Sequence, residues 1–92
     1  MTDALIVFVT VPTREDGDRL ADALVGEHLA ACVNLVGPIR SVYRWQGAIC
    51  RDDEQLLLIK TTRRRYAALE ARVRALHPYD VPEVVAGIME TN

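Results

Sequence analysis

The sequence predicts a single α+β domain in which an antiparallel sheet carries two helices on one face. Three observations predict this fold class. Residues 4–11, "ALIVFVTV", are β-branched and apolar, as in a buried strand. Two segments with apolar residues at helical spacing each follow a threonine that can cap a helix. Between them, two long extended segments meet at "QG", a plausible hairpin turn.

The first helix is predicted directly after the first strand. Pro12 stops that strand, and Thr13 then offers an N-cap with Asp16 in the capping-box position. Apolar residues at helical spacing follow, so we predict a helix over about residues 14–28. Gly17 weakens the first turn of this helix slightly.

The two extended segments cover residues 31–45 and 48–62. Gly37-Pro38 interrupts the first of them, which predicts an edge strand or a bulge because proline cannot donate a ladder hydrogen bond. Arms of about 14 residues, at roughly 3.3 Å per residue, span about 45 Å, which exceeds the width of a domain of this size. We therefore expect the tip of this hairpin to project beyond the core.

The second helix begins after Thr62. Its apolar positions form a single stripe: Tyr66, Leu69, Val73 and Leu76. His77-Pro78 ends it, because a residue before proline avoids the α region. "VPEVVAGI" supplies a last strand, so the order is β-α-β-β-α-β. This is the ferredoxin-like arrangement, predicted as one domain over residues 1–92.

Composition excludes several classes of function. The net charge of −2 does not suggest a general nucleic-acid binder. Arg63–Arg65 is the only basic run, and we predict that it forms a solvated helix face rather than a phosphate site. No apolar stretch approaches the roughly 20 residues that a membrane span needs. The N-terminus has an acid where a signal peptide has a base, which predicts a cytoplasmic chain.

The two cysteines are predicted to remain reduced thiols, because they form neither a CxxC pair nor a disulfide framework. With the hairpin turn centred on Gln46-Gly47, Cys50 lies opposite Tyr43 and Cys32 lies near Thr61. The thiols are then on the order of 36 Å apart, far beyond the limit of about 7 Å for a disulfide.

One face of the predicted sheet is left without a cover. The run "LLLI" at residues 56–59 does not alternate, so apolar side chains point to both faces, and "CVNLV" at residues 32–36 repeats this pattern. Two helices cover only one face. Copies of the same chain are the economical cover for the other face, which predicts an obligate homo-oligomer.

The segments "LAACVN", "SVYRWQG", "LLLIKT" and "HPYDVPEVVA", in this order and spacing, resemble the CutA proteins, the divalent-cation tolerance family. The resemblance runs from "FVTVP" to "VVA", nearly the whole chain. It implies a cytoplasmic homotrimer of ferredoxin-like subunits, held by long hairpins, with high stability and a role in the response to metal ions. It also implies a further short strand and a C-terminal helix, which are not found before Asn92.

The resemblance further implies a candidate copper site. Copper ligands assigned in some bacterial relatives match Val9, Leu76 and His77, so one of three ligands survives here. His77 is therefore the candidate ligand for Cu²⁺ or another divalent metal. The alternative is that His77 meets the last carbonyls of the preceding helix.

An enzyme is not predicted, because no nucleophile elbow, phosphate loop or carboxylate pair beside a base is present. The alternative function is a trimeric small-molecule sensor or scaffold resembling the PII signalling proteins, with ligand clefts between subunits. The candidate cleft residues are Tyr43, Trp45, Lys60, Tyr79, Asp80 and Glu83. The alternative roles for these residues are interface packing for the aromatic side chains and a rigid turn at "YDVPE".

Overall fold

The strands and helices follow the predicted order in the computed structural model, which describes residues 3–78 and 84–88. The elements are β1 (Ala4–Val11), α1 (Arg14–Gly26), β2 (Cys32–Trp45), β3 (Ala48–Thr62), α2 (Arg63–Leu76) and β4 (Val84–Ile88). The sheet has the order β2-β3-β1-β4, and every neighbouring pair is antiparallel. The predicted α+β, ferredoxin-like fold class is therefore confirmed.

The start of α1 agrees with the capping signal. The Asp16 N–H donates to Oγ1 of Thr13 at 3.1 Å, and the Thr13 hydroxyl donates to the Asp16 carboxylate at 2.8 Å. The predicted end at residue 28 is wrong, because the helix ends at Gly26 and His28 has a left-handed backbone with φ 61°. The chain turns there so that the N–H groups of the next two residues reach the Leu24 carbonyl.

Gly17 lets α1 approach the sheet closely. A Cβ atom at this position would lie 2.9 Å from Cδ2 of Leu35 and 3.4 Å from a methyl group of Val11. A side chain here would force its neighbours to move, since interiors are packed to near crystal density. The helix propensity lost at Gly17 is thus the consequence of close packing between α1 and the sheet.

The core lies between the two helices and one face of the sheet. Alternate residues of β1 and β3 point into it, as the twofold periodicity of a strand requires. The buried members are Val7, Val9, Val11, Leu20, Leu24, Ala30, Leu57, Ile59, Leu69 and Val73. Leu69 and Val73 belong to the predicted stripe of α2, whose other two members, Tyr66 and Leu76, pack against the core while half-buried.

A bulge in the edge strand β2 confirms the prediction made from Gly37-Pro38. Val36 pairs with Leu56, but the next paired residue of β2 is Ile39, opposite Glu54. One extra residue on β2 shifts the register and reverses the face to which each following side chain points.

The bulge also explains the positions of the cysteines. Tyr43 lies opposite Cys50 as predicted, because both are on the hairpin side of the bulge. Cys32 lies opposite Lys60 rather than Thr61, because the bulge displaces the register by one residue. Both thiols are free, as expected.

The hairpin ends in a two-residue turn in which Gln46 and Gly47 have φ 49° and 79°. Positive φ at both central residues is the pattern of the turns that match the right-handed twist of paired strands. The strands beside it hold 14 and 15 residues, and the longest dimension of the molecule is 42 Å. The predicted long ribbon is present.

Candidate functional site

The face of the sheet opposite the helices is rich in apolar side chains. We call it the open face and define it by Ile6 and Phe8 of β1, Leu56 and Leu58 of β3, and Val36 of β2. Phe8 is 38% exposed, whereas Val7 and Val9 beside it in the chain are almost fully buried in the core. No element among the described residues covers this face.

The register aligns these side chains into rows. Val36, Leu56 and Thr10 form one row, and Asn34, Leu58 and Phe8 form the next. Because directly opposed residues of an antiparallel pair share a face, each row presents a continuous surface. The polar residues Thr10 and Asn34 each stand at one end of a row. Lys60 stands in the next row, between Ile6 and Cys32.

The projecting hairpin, which we call the ribbon (residues 39–54), exposes a second apolar surface. The exposed fractions are 59% for Val42, 43% for Tyr43, 63% for Trp45 and 56% for Ile49. Tyr43 and Trp45 lie on the same side of the ribbon as the open face, because the bulge has reversed the register. Val42 and Ile49 lie on its other side.

Tyr43 is held in place by a hydrogen bond from its hydroxyl to the carboxylate of Asp52 on the neighbouring strand. This bond, with smaller contributions from desolvation and from nearby negative charge, raises the pKa of Tyr43 to about 12. The phenol therefore remains neutral over the physiological pH range and acts as a donor. On the other side of the ribbon, Arg40 lies 3.8 Å from Asp53, an exposed ion pair that contributes little.

Among the predicted cleft residues that the structure describes, the ribbon aromatics lie far from Lys60 within one chain. Tyr43 pairs with Cys50, and Lys60 lies ten positions further along β3, on the order of 33 Å away. Tyr79, Asp80 and Glu83 lie outside the described residues. A cleft that used both the ribbon aromatics and Lys60 would thus have to draw them from different subunits.

His77, the candidate copper ligand, is buried at the end of α2. Its Nε2 lies 2.6 Å from the Thr10 carbonyl oxygen, and its backbone N–H donates to the Val73 carbonyl at 2.8 Å. Because a carbonyl only accepts, Nε2 carries a proton and donates. The ring therefore ties the end of α2 to β1.

The described residues do not supply a metal centre. Nowhere in this part of the chain do three histidine, cysteine, aspartate or glutamate side chains come together in a way that could hold a metal ion. The described residues of one chain therefore offer no donor set that fits a copper ion, and His77 stays a prediction.

Sequence reasoning missed a cavity of about 730 Å³ at the end of the sheet where β2 begins and β3 ends. Its basic lining residues come from three separate elements: Lys60 of β3, His28 of the loop after α1, and Arg64 and Arg65 of α2. The one sequence signal for this cavity was the basic run Arg63–Arg65. That run alone could not reveal the cavity, because His28, which also lines it, is distant in sequence.

These features define a class of protein before any comparison. The chain is a small ferredoxin-like α+β domain whose sheet has an apolar open face and whose hairpin projects a ribbon with exposed apolar side chains. A family model, the CutA1 divalent ion tolerance protein, matches residues 5–91. The chain belongs to the CutA family.

Proteins of known sequence support this assignment. The divalent-cation tolerance protein CutA of Thermus thermophilus is 54% identical over 81 residues, covering 88% of this chain and 79% of the relative. The chloroplastic CutA of Arabidopsis thaliana is 52% identical over 83 residues, covering 90% of this chain and 46% of the relative. The chain therefore spans less than half of the plant protein.

Solved structures agree with the fold. The Thermus thermophilus CutA1 structure has a TM-score of 0.91 at 52% identity, covering 97% of this chain and 87% of that one. CutA of Xylella fastidiosa has a TM-score of 0.96 at 38% identity, with 99% and 88% covered. These comparisons favour the CutA family over the PII-like alternative.

Two findings bear on location. Neither helix in residues 3–78 is long and apolar enough to cross a membrane, and none is described in residues 84–88. One solved relative, from Archaeoglobus fulgidus, is named as a periplasmic protein, and the Arabidopsis relative is named as chloroplastic.

The hydrogen bond of Tyr43 generates a prediction. In the folded protein the phenol of Tyr43 should titrate at about 12, and Asp52→Asn should lower this pKa toward the ordinary value of about 10, because the amide carries no charge. Phenolate absorbance measured against pH tests this, with Tyr43→Phe identifying the signal. Superimposable curves for the wild type and Asp52→Asn would contradict the assignment.

Proposed function

We propose that this chain acts as a homotrimer in the response to divalent cations. Family membership supports the role, because relatives of the chain are named divalent-cation tolerance proteins. The single observation that carries the assembly is the apolar surface formed by the open face and the ribbon.

Covering this surface would contribute strongly to stability. Apolar area removed from water contributes about 25 cal/mol per Å², so each 100 Å² covered is worth about 2.5 kcal/mol. Trp45 alone is 63% exposed, and large aromatic side chains at such positions commonly dominate an interface. A second copy of the chain brings a surface of the same chemistry.

The edge of the sheet provides a second argument for self-association. β2 is an edge strand of 14 residues, and its outer N–H and C=O groups pair with no strand among those described. Long unpaired edges are rarely left open in soluble proteins. Subunits that pair edge to ribbon around a rotation axis form a closed ring, and the resemblance to the CutA family supports a ring of three.

The assembly is testable by light scattering after size-exclusion chromatography. We expect about 31 kDa for the wild type, three times the 10.3 kDa chain, at micromolar concentration. The double variant Val42→Glu and Ile49→Glu should dissociate, because it places charges in an apolar interface. Val25→Glu is the control, since Val25 is 42% exposed on α1 and belongs to neither surface. A 10 kDa wild type would overturn the proposal.

The metal remains a separate part of the proposal. We infer Cu²⁺ or another divalent cation as the ion to which the protein responds, and His77 is the candidate ligand that the family resemblance predicts. Ligation through Nε2 would require the loss of its bond to the Thr10 carbonyl. The support for a metal comes from the family name, and the described residues of one chain add none.

His77→Ala tests both roles of this side chain. The loss of a buried hydrogen bond should lower the free energy of unfolding by about 1–3 kcal/mol in chemical denaturation. Calorimetric titration with Cu(II) then compares the variant with the wild type under conditions in which both are folded. A weaker copper isotherm would support ligation, whereas equal isotherms would remove His77 from the candidate ligands.

The proposed compartment is the cytoplasm. The support is chemical: two half-buried thiols, Cys32 and Cys50, remain free, which suits a reducing environment. Catalysis is not part of the proposal.

A further inference from the structure

The cavity beside the start of α2 has the composition of an anion site. Its volume of about 730 Å³ falls within the range of small-molecule sites, about 300–1,000 Å³. Its walls combine apolar groups with cationic ones. The lining residues that carry charge or can acquire it as cations are His28, Lys60, Arg64 and Arg65, and no acidic residue is among those described at its surface.

Lys60, Arg64 and Arg65 form no ion pair with any other residue that the structure describes. In residues 3–78 and 84–88, the ion pairs involve Arg19, Arg40, Arg72 and Arg74, and none involves Lys60, Arg64 or Arg65. Arg65 donates through Nη1 to the His28 carbonyl at 2.6 Å, a neutral partner that fixes the guanidinium without cancelling its charge. Three permanent positive charges thus share one concave surface.

The local backbone adds to this positive field. The first turn of α2 contains three arginines and no acid, although the positive end of the helix dipole favours acids there. Thr62 stands at the N-cap and lines the cavity, but its side chain makes no capping hydrogen bond. This arrangement costs stability in the absence of a counter-charge.

We propose that this cavity binds a small organic phosphate, held by Lys60, Arg64 and Arg65. Phosphate oxygens accept charge-assisted hydrogen bonds from guanidinium and ammonium groups, and a doubly charged anion matches the surplus of cations. Ala4, Val25, Ala30 and Ala31 supply the apolar wall that an organic portion would contact. The site shares Lys60 with the predicted cleft but contains neither the ribbon aromatics nor His77, so it extends beyond the proposed function.

Calorimetry on the intact protein at low ionic strength tests the site, with glycerol 3-phosphate as the organic probe and inorganic phosphate and pyrophosphate as the inorganic probes. We expect Lys60→Gln and Arg64→Gln each to weaken binding of glycerol 3-phosphate by about tenfold, since each removes a charged donor. The side chains of Lys60, Arg64 and Arg65 are all in contact with solvent, so these substitutions should not disturb the core. Light scattering checks that the assembly of each variant is unchanged.

Arg63→Gln is the matched control. It removes the same charge from the same run, but Arg63 does not line the cavity. We expect less than about a threefold change for this variant, because remote charges are screened by solvent and salt. An equal loss in Arg63→Gln and Arg64→Gln would mean diffuse attraction and overturn the site. The absence of binding for every probe would also overturn the site. Tighter binding of inorganic phosphate or pyrophosphate than of glycerol 3-phosphate would overturn the assignment of an organic ligand.

Discussion

The burial of apolar side chains on the second face of the sheet is the constraint on which the rest of the structure depends. One face is covered by α1 and α2, and alternation along β1 directs Val7 and Val9 into that core. The same alternation directs Phe8 and its neighbours to the open face, where the described part of the chain has no further element to cover them. The described residues form no second layer over this face, and this is the basis of the proposal that another copy covers it.

The bulge at Gly37-Pro38 connects that constraint to the ribbon. Without the extra residue, Tyr43 and Trp45 would point to the helix side of the sheet. With it, the ribbon presents aromatic side chains on the side of the open face and the aliphatic pair Val42 and Ile49 on the other. Exposed apolar side chains on both sides suit a ribbon enclosed between neighbouring subunits.

Sequence reasoning succeeded where the signal was local. The Thr13 cap, the "QG" turn and the bulge depend on residues adjacent in the chain, and all three were predicted. It failed where distant segments meet. Helix α1 ends earlier than predicted because His28 adopts a left-handed conformation in a turn closed by hydrogen bonds to α1. The cavity was not predicted because residues 28, 60 and 64 come together only in the folded chain. The predicted cleft stays a prediction, since half of its residues lie outside the described part.

Hydrogen exchange of the ribbon amides, followed by mass spectrometry as the protein is diluted, tests the central claim most directly. If neighbouring subunits enclose the ribbon, peptides from residues 39–54 should exchange slowly at every concentration at which the chain is folded. The ribbon amides should lose their protection from exchange only when the amides of the core strands lose theirs. A dilute, folded, single chain whose ribbon exchanges freely would contradict the account.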